Sequence, residues 1–429
     1  MKSPIESITT FFRIPDLRKK FFIVLLLLAV ARLISTVPIP GVDRSQLSNY
    51  LDSNSPLSLL NIFTGGGLTN FSIAMMGVGP YITSSIIFQL LGMVIPSLES
   101  LQKEGEAGRK KINQYTRLAT IPLALVQGFG TITFLKNAQI ISTPSTWFFI
   151  FMLIVATGGT MLMVWIGELI SEQGLGNGLS ILIASGILAA FPAEIQTTYT
   201  QYTGASVQEL LKLGGFVAVA LIALLLIIFI NDGQRNIPVT YARRVRGNTS
   251  YGGVDTSLPI KVNATGVVPI IFAISMVIFP TIVAKFLQQA QSTQLQHIGN
   301  AITNFFQNQY YYAGVYFVLV IAFTYFYTFI IFQPKQMAEN LQKQGGYIPG
   351  IRPGQDTENY LYQVIQRLTL IGAIFLGAIA VLPILLQSAT NVSTFNLGGT
   401  TILIVVAVIL EIIRQVKAQL VTRTYDSYL

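Results

Sequence analysis

Apolar residues gather into ten segments along the chain, at about 21–36, 72–95, 118–135, 147–169, 179–193, 213–230, 265–284, 311–332, 368–386 and 399–413. Several approach the roughly 20 apolar residues that a helix needs to cross a bilayer, and 179–193 is among the shortest. Runs such as Phe21 to Ser35 and Phe216 to Ile230 are continuous. A membrane barrel would instead alternate apolar and polar residues over strands of about ten residues. The pattern therefore predicts an all-α polytopic membrane protein with ten transmembrane helices.

Composition strengthens that reading. Of 429 residues, 52% are hydrophobic and only 10% charged, against about 25% charged in a soluble domain. There is no cysteine and a single histidine, His297, which removes thiolate chemistry, Cys-ligated zinc, iron–sulfur clusters and His-rich metal sites. No metal or cofactor is expected. The first apolar run ends in Val37-Pro38-Ile39-Pro40-Gly41 and not in a small-residue processing site, so it reads as a retained span.

The net charge of +9 has a side. With ten spans both termini lie on one face, and 22 of the 27 basic residues fall there: before span one, in 97–117, in 231–263, around 333–367 and after span ten. Only Arg32, Arg44, Lys136, Lys212 and Lys285 fall elsewhere. Basic loops stay cytoplasmic, so both termini are assigned to the cytoplasm. Holding topology against an anionic leaflet accounts for part of this charge. The length of loops 97–117 and 231–263 also suits docking to an acidic protein or to ribosomal RNA phosphate.

The polar stretch 194–211 separates two sets of five spans. An odd number per half inverts the second half relative to the first, as in inverted-repeat membrane folds, although no internal sequence identity is visible. The expected units are a cytoplasmic segment 1–20, an N-terminal half 21–193, an extracytoplasmic hinge 194–211, a C-terminal half 212–413 with cytoplasmic loops 231–263 and 333–367, and a cytoplasmic tail 414–429.

Between the first two spans, Leu59, Leu60, Ile62 and Phe63 lead into Thr64-Gly65-Gly66-Gly67. This stretch is too interrupted to span a bilayer. Irregular backbone at membrane depth must be covered by protein or face water; a re-entrant helix in a cavity and an interfacial surface helix satisfy that rule equally. Val78, Ile82 and Ile86 recur every fourth residue at the start of span two, Ile183 and Ile187 repeat the spacing in span five, Val268 and Ile271 flank Pro269, and Ile404 lies in span ten. Such stripes serve lipid contact, core packing or a dewetting constriction, and spacing does not choose among them. Gln89 and Gln127 are neutral polar groups within apolar segments, suited to hydrogen bonds between helices. Arg32 snorkels or pairs with backbone carbonyls.

No span carries a carboxylate pair or an Asp/His relay for proton-coupled transport. The strings Gly174-Leu175-Gly176-Asn177-Gly178 and Gly345-Gly346-Tyr347-Ile348-Pro349-Gly350 lack the ending of a phosphate loop and the strand context of a dinucleotide site. The chain is not expected to be an enzyme, and energy for directed transport would come from outside it.

Ordered strings along the whole chain carry a family resemblance: Gly79-Pro80-Tyr81-Ile82-Thr83-Ser84-Ser85-Ile86 with Gln89, Glu104-Gly105-Glu106-Ala107-Gly108-Arg109-Lys110-Lys111, Gly176-Asn177-Gly178, Ile237-Pro238-Val239 with Tyr241-Ala242-Arg243-Arg244, Leu258-Pro259-Ile260-Lys261-Val262-Asn263, and Gly350-Ile351-Arg352-Pro353-Gly354. By these the sequence resembles the SecY family, the large subunits of the bacterial Sec protein translocase. The resemblance implies two inverted five-helix halves around a central protein-conducting pore in the bacterial cytoplasmic (inner) membrane. The pore ring would be Val78, Ile82, Ile86, Ile183, Ile187, Val268, Ile271 and Ile404. A plug at about 57–70 would include Leu59, Leu60, Ile62, Phe63, Thr64, Gly65 and Gly66. A lateral gate between spans two and seven, helped by three and eight, would carry Thr83, Gln89 and Gln127.

Implied partners are a SecE-like clamp subunit, a SecG-like small subunit, a SecA-type motor ATPase, the ribosome, signal sequences, nascent chains and membrane lipid. Arg109, Lys110, Arg243, Arg244 and above all Arg352 would dock the cytoplasmic partners. Gly79, where family members more often carry a larger apolar residue, and Asn236, which replaces a common basic one, are departures from the pattern. A secondary transporter would share the span count but needs convergent polar groups at the midplane, and a receptor-type membrane protein needs no pore ring.

Overall fold

The computed structural model describes residues 14–42, 47, 64, 66–137, 140–141, 145–203, 206–241, 244–246, 249–251, 255–263, 265–288, 292–390 and 399–426. Its first half contains α1 (Pro15–Thr36), α2 (Gly79–Val94), α3 (Pro96–Lys103), α4 (Glu106–Asn137), α5 (Thr146–Glu172) and α6 (Gly178–Tyr202). The second contains α7 (Val207–Asp232), strands β1 (Gln234–Tyr241), β2 (Arg244–Arg246), β3 (Thr249–Tyr251) and β4 (Asp255–Lys261), then α8 (Val268–Gln288), α9 (Thr293–Gln307), α10 (Gln309–Ile331), α11 (Pro334–Lys343), β5 (Gly346–Tyr347), α12 (Gln355–Thr390) and α13 (Gly399–Asp426).

The protein is a polytopic α-helical membrane protein. Among the described residues, α4, α5, α6, α7, α10 and α12 are long and apolar enough to cross a bilayer. A seventh span arises if α2 and α3, bent by 106° at Ile95, count as one. Every one of the ten apolar segments contributes a helix.

The helix ends differ from the hydropathy reading for local reasons. Residues 73–78 are turns, and α2 begins only at Gly79: Gly77 sits at φ +53° and Pro80 occupies the first helical turn, where its missing N–H costs nothing. The expected loop 97–117 is largely helix, because α3 and the first turns of α4 fill it. The expected hinge 194–211 narrows in the same way. α6 runs on to Tyr202, and α7 starts behind a capping box in which Glu209 N donates to Ser206 Oγ and Ser206 N donates to Glu209 Oε2. Span nine belongs to the much longer α12, and the tail is helical to Asp426.

Strands are the unforeseen element. β1 pairs antiparallel with β4, placing Ile237 opposite Leu258 and Asn236 opposite Pro259, and β5 pairs with β1 only at Thr240 and Tyr241. Pro238 therefore sits where one side of the central strand is unpaired, which removes the usual objection to proline in a sheet. Ile237, Val239 and Ile260 pack with Ala338, Ile348, Leu361 and Ile365 into one cluster. The loops 231–263 and 333–367, separate in sequence, are thus one folded platform.

Between the helices of the first half and those of the second, more than marginal contact among the described residues is confined to two pairs, α2 with α8 and α6 with α13.

Candidate pore and gate

One apolar cluster gathers residues from both halves at these seams. Val78 at the start of α2, Ile183 and Ile187 from α6, Ile271 from α8 and Ile404 from α13 are all buried in it, and Ile82 packs against it partly exposed. Six of the eight expected ring residues are therefore brought together by four different helices. Ile86 and Val268 are half-buried and stand outside the cluster, while Val267, Ile270 and Ile274 of the same region are buried within it. The i, i+4 spacing of Ile270 and Ile274 is the signal that could have found the latter pair.

A small, partly open crevice adjoins the cluster, lined by Arg32 and Ser35 of α1, Thr64, Gly77, Val78, Met163 of α5 and Leu182, Ile183, Ser185 and Gly186 of α6. Arg32 Nη2 donates to the carbonyl oxygens of Ser185, at 2.8 Å, and Gly186, at 2.6 Å. Its charge thus ties α1 to α6 through backbone, the pairing expected of a cation at membrane depth. Thr64 is buried against Gly77, where a Cβ would lie 3.0 Å from Thr64 Cα. Gly66 begins the following turn, in which Asn70 N donates to Gly66 O. Leu59, Leu60, Ile62, Phe63 and Gly65 lie outside the described residues. Beyond Thr64 the chain is anchored at a second cluster holding Leu68, Phe71, Met75 and Met76 with Ile132 and Met152.

Along the α2 seam, Thr83 Oγ1 donates to Gly79 O at 3.1 Å and accepts from Gln127 Nε2 of α4 at 3.4 Å. Gln89 Nε2 donates to Ser85 Oγ at 3.2 Å within α2. Ser84 Oγ, fully buried, donates to Thr116 O of α4 at 2.8 Å. Thr83 and Ser84 therefore fasten α2 to α4, and its contact with α8 is slight by comparison. No comparable contact joins α4 to α10 among the described residues.

On the platform side, Arg109 and Lys110 are exposed at the start of α4, with Lys110 Nζ 4.0 Å from Glu106 Oε1. Arg352 is exposed in the turn between β5 and α12, held by Thr357 Oγ1 donating to Arg352 O at 2.8 Å. Arg244 lies in β2, opposite Tyr251, and Arg243 lies outside the described residues. Where the platform meets the helices, Arg414 of α13 pairs with Asp232 at 3.2 Å and donates to Asn231 O, while Asn263 Nδ2 donates to Asn231 Oδ1 at 3.2 Å. Burial, then the neighbouring Arg414 cation, lowers the Lys261 ammonium below the usual lysine range, against the opposing pull of Asp232 and Glu411. Asn177, in the Gly-Asn-Gly string, caps α6 by accepting from Leu179 N and Ser180 N; no phosphate cradle is needed to explain it.

Fold and site together define a polytopic membrane protein whose two helix sets meet around one apolar cluster. The SecY family profile matches residues 72–413. The chain is 42% identical to the protein translocase subunit SecY of Halalkalibacterium halodurans, over 99% of both chains. It is 39% identical to that of Mycobacterium tuberculosis, over 99% of this chain and 100% of the relative. A solved structure of a protein conducting channel superposes with a TM-score of 0.61 at 16% identity, covering 94% of this chain and 92% of the other. A second, on how the SecY plug domain stabilises the closed state, gives 0.62 at 17% identity, over 94% and 92% of the two chains. The chain belongs to the SecY family, and with it to the non-catalytic membrane subunits.

Proposed function

We propose that this chain is the channel-forming subunit through which unfolded secretory polypeptides cross the bacterial cytoplasmic membrane, and from which apolar segments pass sideways into lipid. The observation that carries the reading is the convergence of Val78, Ile82, Ile183, Ile187, Ile271 and Ile404 from four helices of two sparsely connected halves. In this reading there are ten spans, the helices α1, α2, α8 and α13 completing the set of six, in two inverted halves with both termini cytoplasmic.

An apolar ring excludes ions by dewetting yet offers a passing chain no strong site. Ile86 and Val268, half-buried at its margin, join it as the helices part. The segment around 57–70 is the plug, seated through Thr64 on Gly77. A signal sequence, itself an apolar helix, wedges between α2 and α8, the weaker seam, and favours the open state by differential binding. Thr83 with Gln127, and Ser84 with Thr116, hold α2 and α4 together as one gate wall, along which Gln89 also lies. Arg109, Lys110, Arg243, Arg244 and Arg352 on the basic side dock a motor ATPase or a translating ribosome, which supplies the energy. Small clamp and accessory subunits of the SecE and SecG kinds complete the complex.

The test is reconstitution of the chain with those subunits in proteoliposomes, together with the motor ATPase, ATP and a radiolabelled secretory precursor. Precursor protected from protease only when the chain is present is the expected result. Equal protection without it removes the assignment.

A further inference from the structure

The amphipathic helix α9, Thr293–Gln307, joins α8 to α10 at the end of α10 opposite the platform. Its packed flank is fixed by a close approach: a Cβ on Gly299 would lie 2.7 Å from Ala284 O of α8. Gln288 Nε2 of α8 donates to Thr303 Oγ1 at 2.8 Å, and Phe306 packs against the central cluster. Beside that flank runs a second apolar strip left largely open among the described residues: Leu295, Ile298 and Phe305 are 40%, 50% and 43% exposed. The remaining arc holds Gln294, His297, Asn300, Asn304 and Gln307, with no acidic side chain and no lysine or arginine in the whole helix.

We propose that α9 lies in the plane of the membrane surface opposite the platform, with Leu295, Ile298 and Phe305 sunk into lipid, and pins the outer end of α8 there. The exposed first turn of α10 runs directly into this strip. Tyr310 and Tyr311, at the first turn of α10, are 68% and 56% exposed, and the Tyr311 ring stacks on Phe305 with centroids 5.2 Å apart. Aromatic rings with one apolar and one wet end gather at that depth. A helix bound by apolar area alone is indifferent to anionic lipid, unlike basic interfacial helices. The consequence for α8 as a wall of the side gate rests on the function proposed above, whereas the lipid contact itself does not.

The experiment uses the full chain with its small subunits in liposomes, idle, in a Trp147→Phe/Trp165→Phe background carrying either Phe305→Trp or Asn304→Trp. Bromines at shallow acyl positions should quench the tryptophan at 305 several-fold more than the one at 304, acrylamide should do the reverse, and replacing neutral by anionic lipid should change neither. The proposal is overturned if acrylamide reaches both positions alike, if position 305 is shielded from bromine and acrylamide together because another polypeptide covers it, or if quenching follows lipid charge. Because no secretory chain is present, none of these outcomes depends on channel function.

Discussion

Two glycines that are two residues apart should respond oppositely to the same added methyl group. Gly77 is at φ +53° and faces Thr64, whose Cα would stand 3.0 Å from a new Cβ. A side chain in that backbone region costs roughly 1–2 kcal/mol, and Thr64 must move as well. Gly79, at the first position of α2, has open space around it, and alanine in a helix is favoured over glycine by up to about 1 kcal/mol. If residues around Thr64 close the pore, the strain in Gly77→Ala falls on the closed state. A bias of 1–2 kcal/mol corresponds to roughly a 5–30-fold rise in the conducting fraction. Single-channel recording of the idle reconstituted complex reads that fraction directly, with thermal melting of the purified complex alongside. Gly77→Ala should leak and Gly79→Ala should match the parent. Equal conductance in the two variants, or a silent Gly77→Ala that melts like the parent, refutes the seating of Thr64 on Gly77.

Ile183→Asn, at a site only 3% exposed, puts an amide where an unsatisfied group costs about 1–3 kcal/mol and invites water, so idle leak should rise; Ile86→Asn, at the half-buried margin, should raise it less, which recording of both variants checks. Arg352→Glu should weaken binding of the motor ATPase, measured by sedimentation with proteoliposomes, while melting stays near that of the parent, since exposed substitutions usually move stability by about 0.5 kcal/mol or less. Lys261→Met tests the partly buried ammonium. Its folded pKa lies below the unfolded one, so the parent carries its full penalty at neutral pH and loses it as pH rises through the lowered value. The variant should melt higher than the parent near pH 7, with the gain shrinking at alkaline pH; a gain that grows with pH contradicts the sign.

Helix content was legible because a bilayer demands long apolar runs, and each of the ten runs does lie on a helix. Helix ends were not, because they are set by local chemistry that hydropathy ignores: the left-handed Gly77, the Ser206 capping box, and the polar but helix-competent turns of α3 and early α4. The sheet was hidden for a related reason. Pro238 and Pro259 interrupt both of its main strands, and only the strand order shows why they are tolerated: β1 is unpaired on one side at Pro238, and β4 is an edge strand. Among the expected ring residues, Ile183 and Ile187 lie in the buried cluster, whereas Val268, the first residue of α8, is half-buried beside the buried Val267, a difference that hydropathy does not encode. The partners of Arg32 are carbonyls 153 and 154 residues away, a pairing no local pattern encodes.

The central claim is that the apolar cluster surrounds a path for polypeptide. Photo-crosslinking side chains at Ile82 and, separately, at Ile404, with a secretory chain trapped halfway across membranes containing the partner subunits, address it most directly. Crosslinks from both positions to the mature part of that chain, dependent on a functional signal sequence, are the predicted result. An efficiently trapped chain that touches neither position, while probes nearer the plug or facing lipid react, would contradict a pore at this cluster.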